Sequence, residues 1–179
     1  MDISNQPIAN GPEVAIHEEA KTSVNSSFQV EEAIHQPICT VDFSTPHIQA
    51  MNAEVQTGPS TYYNSYYGKS WILHYPGKSY IQVNTKIENL DSAKKYVLDM
   101  VHLSSCSFVD GKYIKFSPIT ILVNGNVVVF GHNPDLIDYK REQFDVTQYV
   151  VEGDNQIEIR FDNGATHNYW IQSFALIES

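Results

Sequence analysis

In the stretch GKSYIQVNTKIEN, Ile81, Val83, Thr85 and Ile87 fall on one side of an extended chain, and Tyr80, Gln82, Asn84 and Lys86 on the other. That two-residue period marks a half-buried β-strand. ICTVDF and SWILHY alternate in the same way, and KYVLDMVHL is apolar on both faces, as a central strand would be. PITILVNGNVVVF predicts a hairpin, because Asn124-Gly125 between two β-rich runs supplies the positive φ angles of a tight turn. QFDVTQYVVEGDNQIEIRF predicts a turn at Gly153-Asp154-Asn155 and then a strand with Ile157, Ile159 and Phe161 on one face; HNYWIQSFALI closes the chain. One turn is expected near Asn89 to Lys94, and no stretch sustains a helical period. About eight strands with tight turns predict an all-β, antiparallel two-sheet sandwich with jelly-roll connections.

The pattern fails before Pro37. Residues 1–36 are rich in Asn, Ser, Pro, Glu and Gln with isolated apolar residues. This composition predicts an extended polar arm, with residues 37–179 as the sandwich domain. Short apolar patches in the arm suggest docking onto the domain or onto a second copy, as in a homodimer.

The net charge of −10 sets partner expectations. An acidic chain repels phosphate backbones and anionic headgroups, so neither nucleic acid nor a membrane surface is expected as a partner. No apolar run approaches the ~20 residues of a membrane span. The start lacks the basic and apolar regions of a signal peptide, which makes the cytoplasm the default expectation. Cys39 and Cys106 form no CxxC and are read as reduced thiols. No two histidines have HxH or HxxxH spacing, so no transition-metal site is expected. GxSxG, P-loop and GxGxxG motifs are missing too.

The segment from Pro118 to Leu176 resembles the galactose-binding-domain-like jelly rolls. It is similar to the sugar-binding domains of β-galactosidase-type glycoside hydrolases and to carbohydrate-binding modules. The matching pieces are a strand ending in VNG, the strand-loop FDVTQYV, the turn EGDN followed by QIEIRF, and a final aromatic strand. YIQVNTKIEN and KKYVLDMVHLSS take the place of the family's central strands, so the resemblance covers roughly Pro37 to Ser179. It implies ligand sites at the loop end of the sandwich or on the concave face of one sheet. It also suggests a structural calcium ion between the first strand and a late one, where Asp42 and Asp162 supply oxygen donors. The sequence fixes no other cofactor.

Candidate residues follow. TYYNSYYGKSW gathers Tyr62, Tyr63, Tyr66 and Tyr67 in what the resemblance makes a loop, with Trp71 opening the next strand. A tyrosine ring stacks on a sugar's C–H face while its hydroxyl bonds the polar edge. His74, Asn133 and Trp170 complete the candidate ligand-binding set. Asp99 and His102 are ionisable groups on opposite faces of an otherwise apolar strand, where burial would raise a carboxyl's pKa and keep its proton near neutral pH. Two functions stay open, beside a third in which the chain is a structural or assembly protein whose N-terminal arm docks onto a partner subunit. One is a lectin-like module recognising a neutral saccharide through loop aromatics. The alternative is a stand-alone cyclase, isomerase or lyase using an Asp general acid in the sandwich cavity, for which Asp99 and His102 are the catalytic candidates.

Overall fold

The computed structural model describes residues 37–179 apart from Tyr66, Tyr67, Phe116, residues 135–137 and Thr166, with backbone alone at Cys106, Ser107 and residues 113–115. The polar arm over residues 1–36 lies outside the described residues. The early strands are β1 (Pro37–Asp42), β2 (Gln49–Met51), β3 (Ala53–Thr57), β4 (Thr61–Asn64), β5 (Ser70–Leu73), β6 (Tyr80–Ile87) and β7 (Tyr96–Ser104). The later ones are β8 (Cys106–Val109), β9 (Lys112–Lys115), β10 (Ile119–Val123), β11 (Asn126–His132), β12 (Lys140–Asp145), β13 (Gly153–Phe161) and β14 (Tyr169–Glu178). Among the described residues there is no helix, and so none long and apolar enough to cross a membrane.

Two antiparallel sheets form the sandwich. The front sheet has the order β12-β7-β14-β1-β2, with β5 also paired to β14 and β4 to β5; the back sheet runs β11-β10-β13-β6-β3. The alternation decides what lies between them. Val41, Leu98, Met100, Phe174 and Leu176 of the front sheet meet Ile81, Val83, Ile121, Ile157 and Ile159 of the back sheet, all essentially buried. Each such side chain contributes about 1.5–3 kcal/mol of transfer free energy, which is what holds the layers face to face. Cys39 is buried there as a free thiol.

The expected Asn124-Gly125 turn joins β10 to β11, with φ angles of 51° and 79°. The side chain of Asn124 adds more than turn geometry: its Nδ2 donates to Tyr149 O at 2.9 Å, and its Oδ1 accepts from Gln156 N at 2.9 Å. The turn expected at Gly153–Asn155 lies earlier, because Gly153 already pairs with Ile87 as the first residue of β13. Tyr149 N and Val150 N instead close the bend on Val146 O.

At each side of the sandwich the chain steps from one sheet to the other. On one side β2 and β3 are separated only by Asn52, whose φ of 55° turns the corner. On the other side the step from β11 to β12 takes residues 133–139. That second edge brings together side chains far apart in sequence.

Candidate functional site

Strand β7 carries ionisable groups on both faces, and both find partners involving β12. Tyr96, Leu98, Met100, His102 and Ser104 point inward and are buried. Val97, Asp99, Val101 and Leu103 point outward, away from the back sheet. The register sets Gln143 opposite Asp99, Arg141 opposite Val101 and Lys140 opposite His102. Odd positions of β12 therefore reach the outer face, while Glu142 reaches inward.

On the outer face, Arg141 Nε donates to both oxygens of Asp99, at 2.7 and 2.8 Å, and Arg141 Nη2 donates to Oδ2. Gln143 Nε2 adds a bond at 3.2 Å. The Asp99 side chain is only 4% exposed, against 67% for Arg141, so the guanidinium lies over the carboxylate like a cap. Burial pushes the Asp99 carboxyl up, but the hydrogen bonds from Arg141 and Gln143 and the arginine charge outweigh it and hold the group below its ordinary value. This overturns the expectation that Asp99 keeps a proton near neutral pH; a capped carboxylate is an acceptor, not an acid. The pair forms one wall of an open hollow of about 590 Å³. Thr40, Asp42, Val101, Ser173 and Ala175 line its floor, and Gln49 to Met51 of β2 its far side.

On the inner face, His102 Nε2 lies 2.7 Å from Glu142 Oε2, and His132 Nε2, from the last residue of β11, lies 2.6 Å from the same oxygen. His102 Nδ1 lies 2.8 Å from the Tyr169 hydroxyl. Burial pushes the His102 imidazole down to about 4 against the opposing pull of Glu142, so it is neutral at neutral pH. Burial also raises the Tyr169 phenol well above its usual range. Tyr169 thus keeps its proton and donates it to Nδ1, which leaves the His102 N–H on Nε2 to donate to Glu142. Burial pushes the Glu142 carboxyl up, yet its interactions with His132, followed by those with His102, leave it below the ordinary carboxylate value.

The cluster brings together two histidines and a glutamate whose spacing in the sequence gives no sign of it. The three residues come from two sheets, and no local spacing encodes them. Arg141, Glu142 and Tyr169 were likewise missed. For Arg141 and Glu142 the one signal available was alternation in KREQFD, where adjacent charged residues must face opposite ways.

The other candidates are dispersed. Tyr62 and Tyr63 sit on strand β4 instead of a loop, since the segment pairs with β5. Tyr63 donates to Ser44 O at 3.2 Å, while Tyr62 is 42% exposed, with its ring centroid 6.0 Å from that of His74. Tyr66 and Tyr67 lie outside the described residues. Trp71 packs against the core and donates to Thr45 O at 3.0 Å. His74 Nδ1 lies 2.6 Å from Asn168 Oδ1. Asn133 accepts from Ser117 N at 3.2 Å, and Trp170 is buried, donating to Ser105 Oγ at 2.7 Å. Asp42 lines the front-sheet hollow and accepts from Ser44 N at 2.7 Å. Asp162 lines a separate hollow beside Arg160 and Asn163 on the back sheet.

No family model matches the chain, and no curated protein matches its sequence. Solved structures do. A variant of a family 29 carbohydrate-binding module complexed with mannohexaose is similar at a TM-score of 0.50 and 15% identity, covering 80% of this chain and 92% of that one. A family 35 module from Clostridium thermocellum is similar at a TM-score of 0.49 and 15% identity, covering 71% and 98%. A family 36 module in complex with calcium and xylotriose is similar at a TM-score of 0.45 and 10% identity, covering 76% and 98%. The likeness is one of fold, an antiparallel two-sheet β-sandwich.

Proposed function

We propose that the chain is a carbohydrate-binding module and that the hollow on the outer face of the front sheet receives a neutral saccharide. The observation that carries this reading is the capped pair. Asp99 fixes the Arg141 guanidinium at the wall of an open hollow, and the N–H groups that Asp99 does not use remain to donate. A fixed planar donor fork suits the adjacent hydroxyls of a sugar, and it loses less side-chain entropy on binding than a free arginine would. The short side chains of Thr40, Ser173 and Ala175 keep the floor low and offer hydroxyls beside apolar surface. Asp42 and Asp99 on the same face disfavour an anionic ligand. The family 29 module of like fold was solved with mannohexaose, which supports a saccharide as the ligand class. Recognition here rests on hydrogen bonds more than on stacking, because among the described residues no aromatic ring except the buried Phe174 borders the hollow.

A glycan array on the full chain, followed by calorimetry with manno- and xylo-oligosaccharides, tests the reading. Arg141→Lys keeps the charge but loses the fork, and is expected to weaken binding about ten-fold. Tyr62→Ala is expected to cost less. Equal affinity in Arg141→Lys, or an array with no saccharide bound, overturns the proposal.

A further inference from the structure

The inner-face cluster is separate from the hollow and has chemistry of its own. His102 Nε2, His132 Nε2 and Glu142 Oε2 all lie within 4.8 Å of one another. The geometry points to a divalent transition-metal site of the zinc class at this edge of the sandwich, with those three atoms as protein donors and solvent in the fourth position.

The donor set selects the ion. Two imidazoles and one carboxylate suit zinc and its first-row neighbours, whereas calcium asks for six to eight oxygens. Exposure selects the kind of site. His102 is fully buried, while His132 and Glu142 are 27% and 29% exposed. One side of the cluster therefore opens to water, as at three-ligand zinc sites that keep a solvent position.

The donors are held in place before any ion arrives. The His102 ring lies edge-on to Tyr169 and Phe144, with centroids 5.8 and 6.1 Å away, and His132 packs against the same Phe144 at 5.5 Å. A tetrahedral ion about 2.1 Å from each donor sets the donors ~3.4 Å apart. The 2.6 and 2.7 Å contacts to Glu142 thus need to open by roughly 0.7 Å. Glu142 can make that move, because it is partly exposed on the edge strand of its sheet.

Ligation through Nε2 puts each neutral imidazole's proton on Nδ1. At His102 that proton then meets the Tyr169 hydroxyl, which turns from donor to acceptor, the outer-shell bond that fixes a ligating histidine. Two neutral imidazoles and one carboxylate leave a zinc ion with a net positive charge, favourable in a chain of net charge −10. The ion would tie β11 of the back sheet to β7 and β12 of the front sheet.

The test uses the full chain stripped of metal with EDTA and dialysed, then titrated with ZnCl2 near neutral pH by calorimetry. Thermal unfolding is followed in parallel, and the absorption of a CoCl2-loaded sample reports coordination geometry. One zinc per chain with micromolar or tighter affinity is expected, with a rise in Tm and a four-coordinate cobalt spectrum. His132→Ala and Glu142→Gln, both at partly exposed positions, are each expected to weaken binding at least ~10-fold and to abolish the Tm rise. His47→Ala, outside the cluster, is expected to bind as the parent does. Affinity unchanged in both cluster variants overturns the assignment. So does loss of binding in His47→Ala, or the failure of the parent chain to bind zinc. Saccharide binding by Arg141→Lys is read separately and bears on neither outcome.

Discussion

The two faces of the β7–β12 pair hold the same kinds of group and treat them differently. Outside, a buried carboxylate is capped by an exposed cation, and the pair is an ionised unit held at the surface. Inside, a fully buried imidazole is kept neutral, and the carboxylate it meets is shared with a histidine from the opposite sheet. The difference is one of solvent access. Arg141 reaches water and can stay charged at little cost, whereas a charge on His102 would have to be desolvated. One face can therefore present fixed donors to a ligand, and the other can brace two sheets through neutral and anionic donors.

The sharpest way to break the comparison is to remove the inner anchor. His102→Ala opens a cavity and orphans the Tyr169 hydroxyl, and it is expected to cost about 3 kcal/mol in urea unfolding of the metal-free protein. Arg141→Met is expected to cost less, about 2 kcal/mol, because it uncovers Asp99 to water as well as unpairing it. If the order reverses, the outer pair is the structural one.

Acid should separate the faces as well. The His102 pKa falls from an ordinary 6.5 to about 4 on folding. The fold thus favours the neutral form, and that contribution is complete above 6.5 and lost as pH falls toward 4. The Asp99 carboxyl is also lowered, from 3.8, so the outer pair keeps its contribution down to that pH and loses it only as pH falls further. Chelator-treated protein should begin to lose stability as pH falls below 6.5, before the outer pair is affected, and Glu142→Gln should alter that first phase of the loss. Stability that holds until the pH falls below 3.8 would mean the inner imidazole is not held neutral by burial.

Tyr169→Phe keeps the ring and removes the donor to His102, with an expected loss of about 1 kcal/mol by chemical unfolding. The smallest effect is expected from deleting residues 1–36. Both constellations lie between Asp99 and Tyr169, so the shortened chain should unfold cooperatively with both intact. A large loss of stability, or a change from dimer to monomer in sedimentation, would give the arm a share in the assembly.

Much of this was legible in the chain. Alternation in YVLDMVHLSS puts Asp99 and His102 on opposite faces, and Asn124-Gly125 marks its hairpin, because both signals are local stereochemistry. The short edge strands β2 and β3 escaped the reading because QAM is only three residues long and AEVQT holds only two apolar residues, too little to show a period. The tyrosine-rich stretch was read as a loop because nothing local says that Thr61 to Asn64 pairs with Ser70 to Leu73.

Local pattern was therefore enough for the class of fold, the period of the central strands and the face each of their side chains takes. All three follow from φ/ψ preference and burial over a few residues. Only the tertiary structure decided who meets whom. Arg141 finds Asp99 across 42 positions, and Glu142 finds His102 across 40. Those partnerships follow from strand order and from the step of the chain from β11 to β12, which no local pattern records. Whether a carboxyl keeps its proton or an imidazole its charge depends on that neighbour and on access to water, and so it was fixed only when the sheets closed on each other.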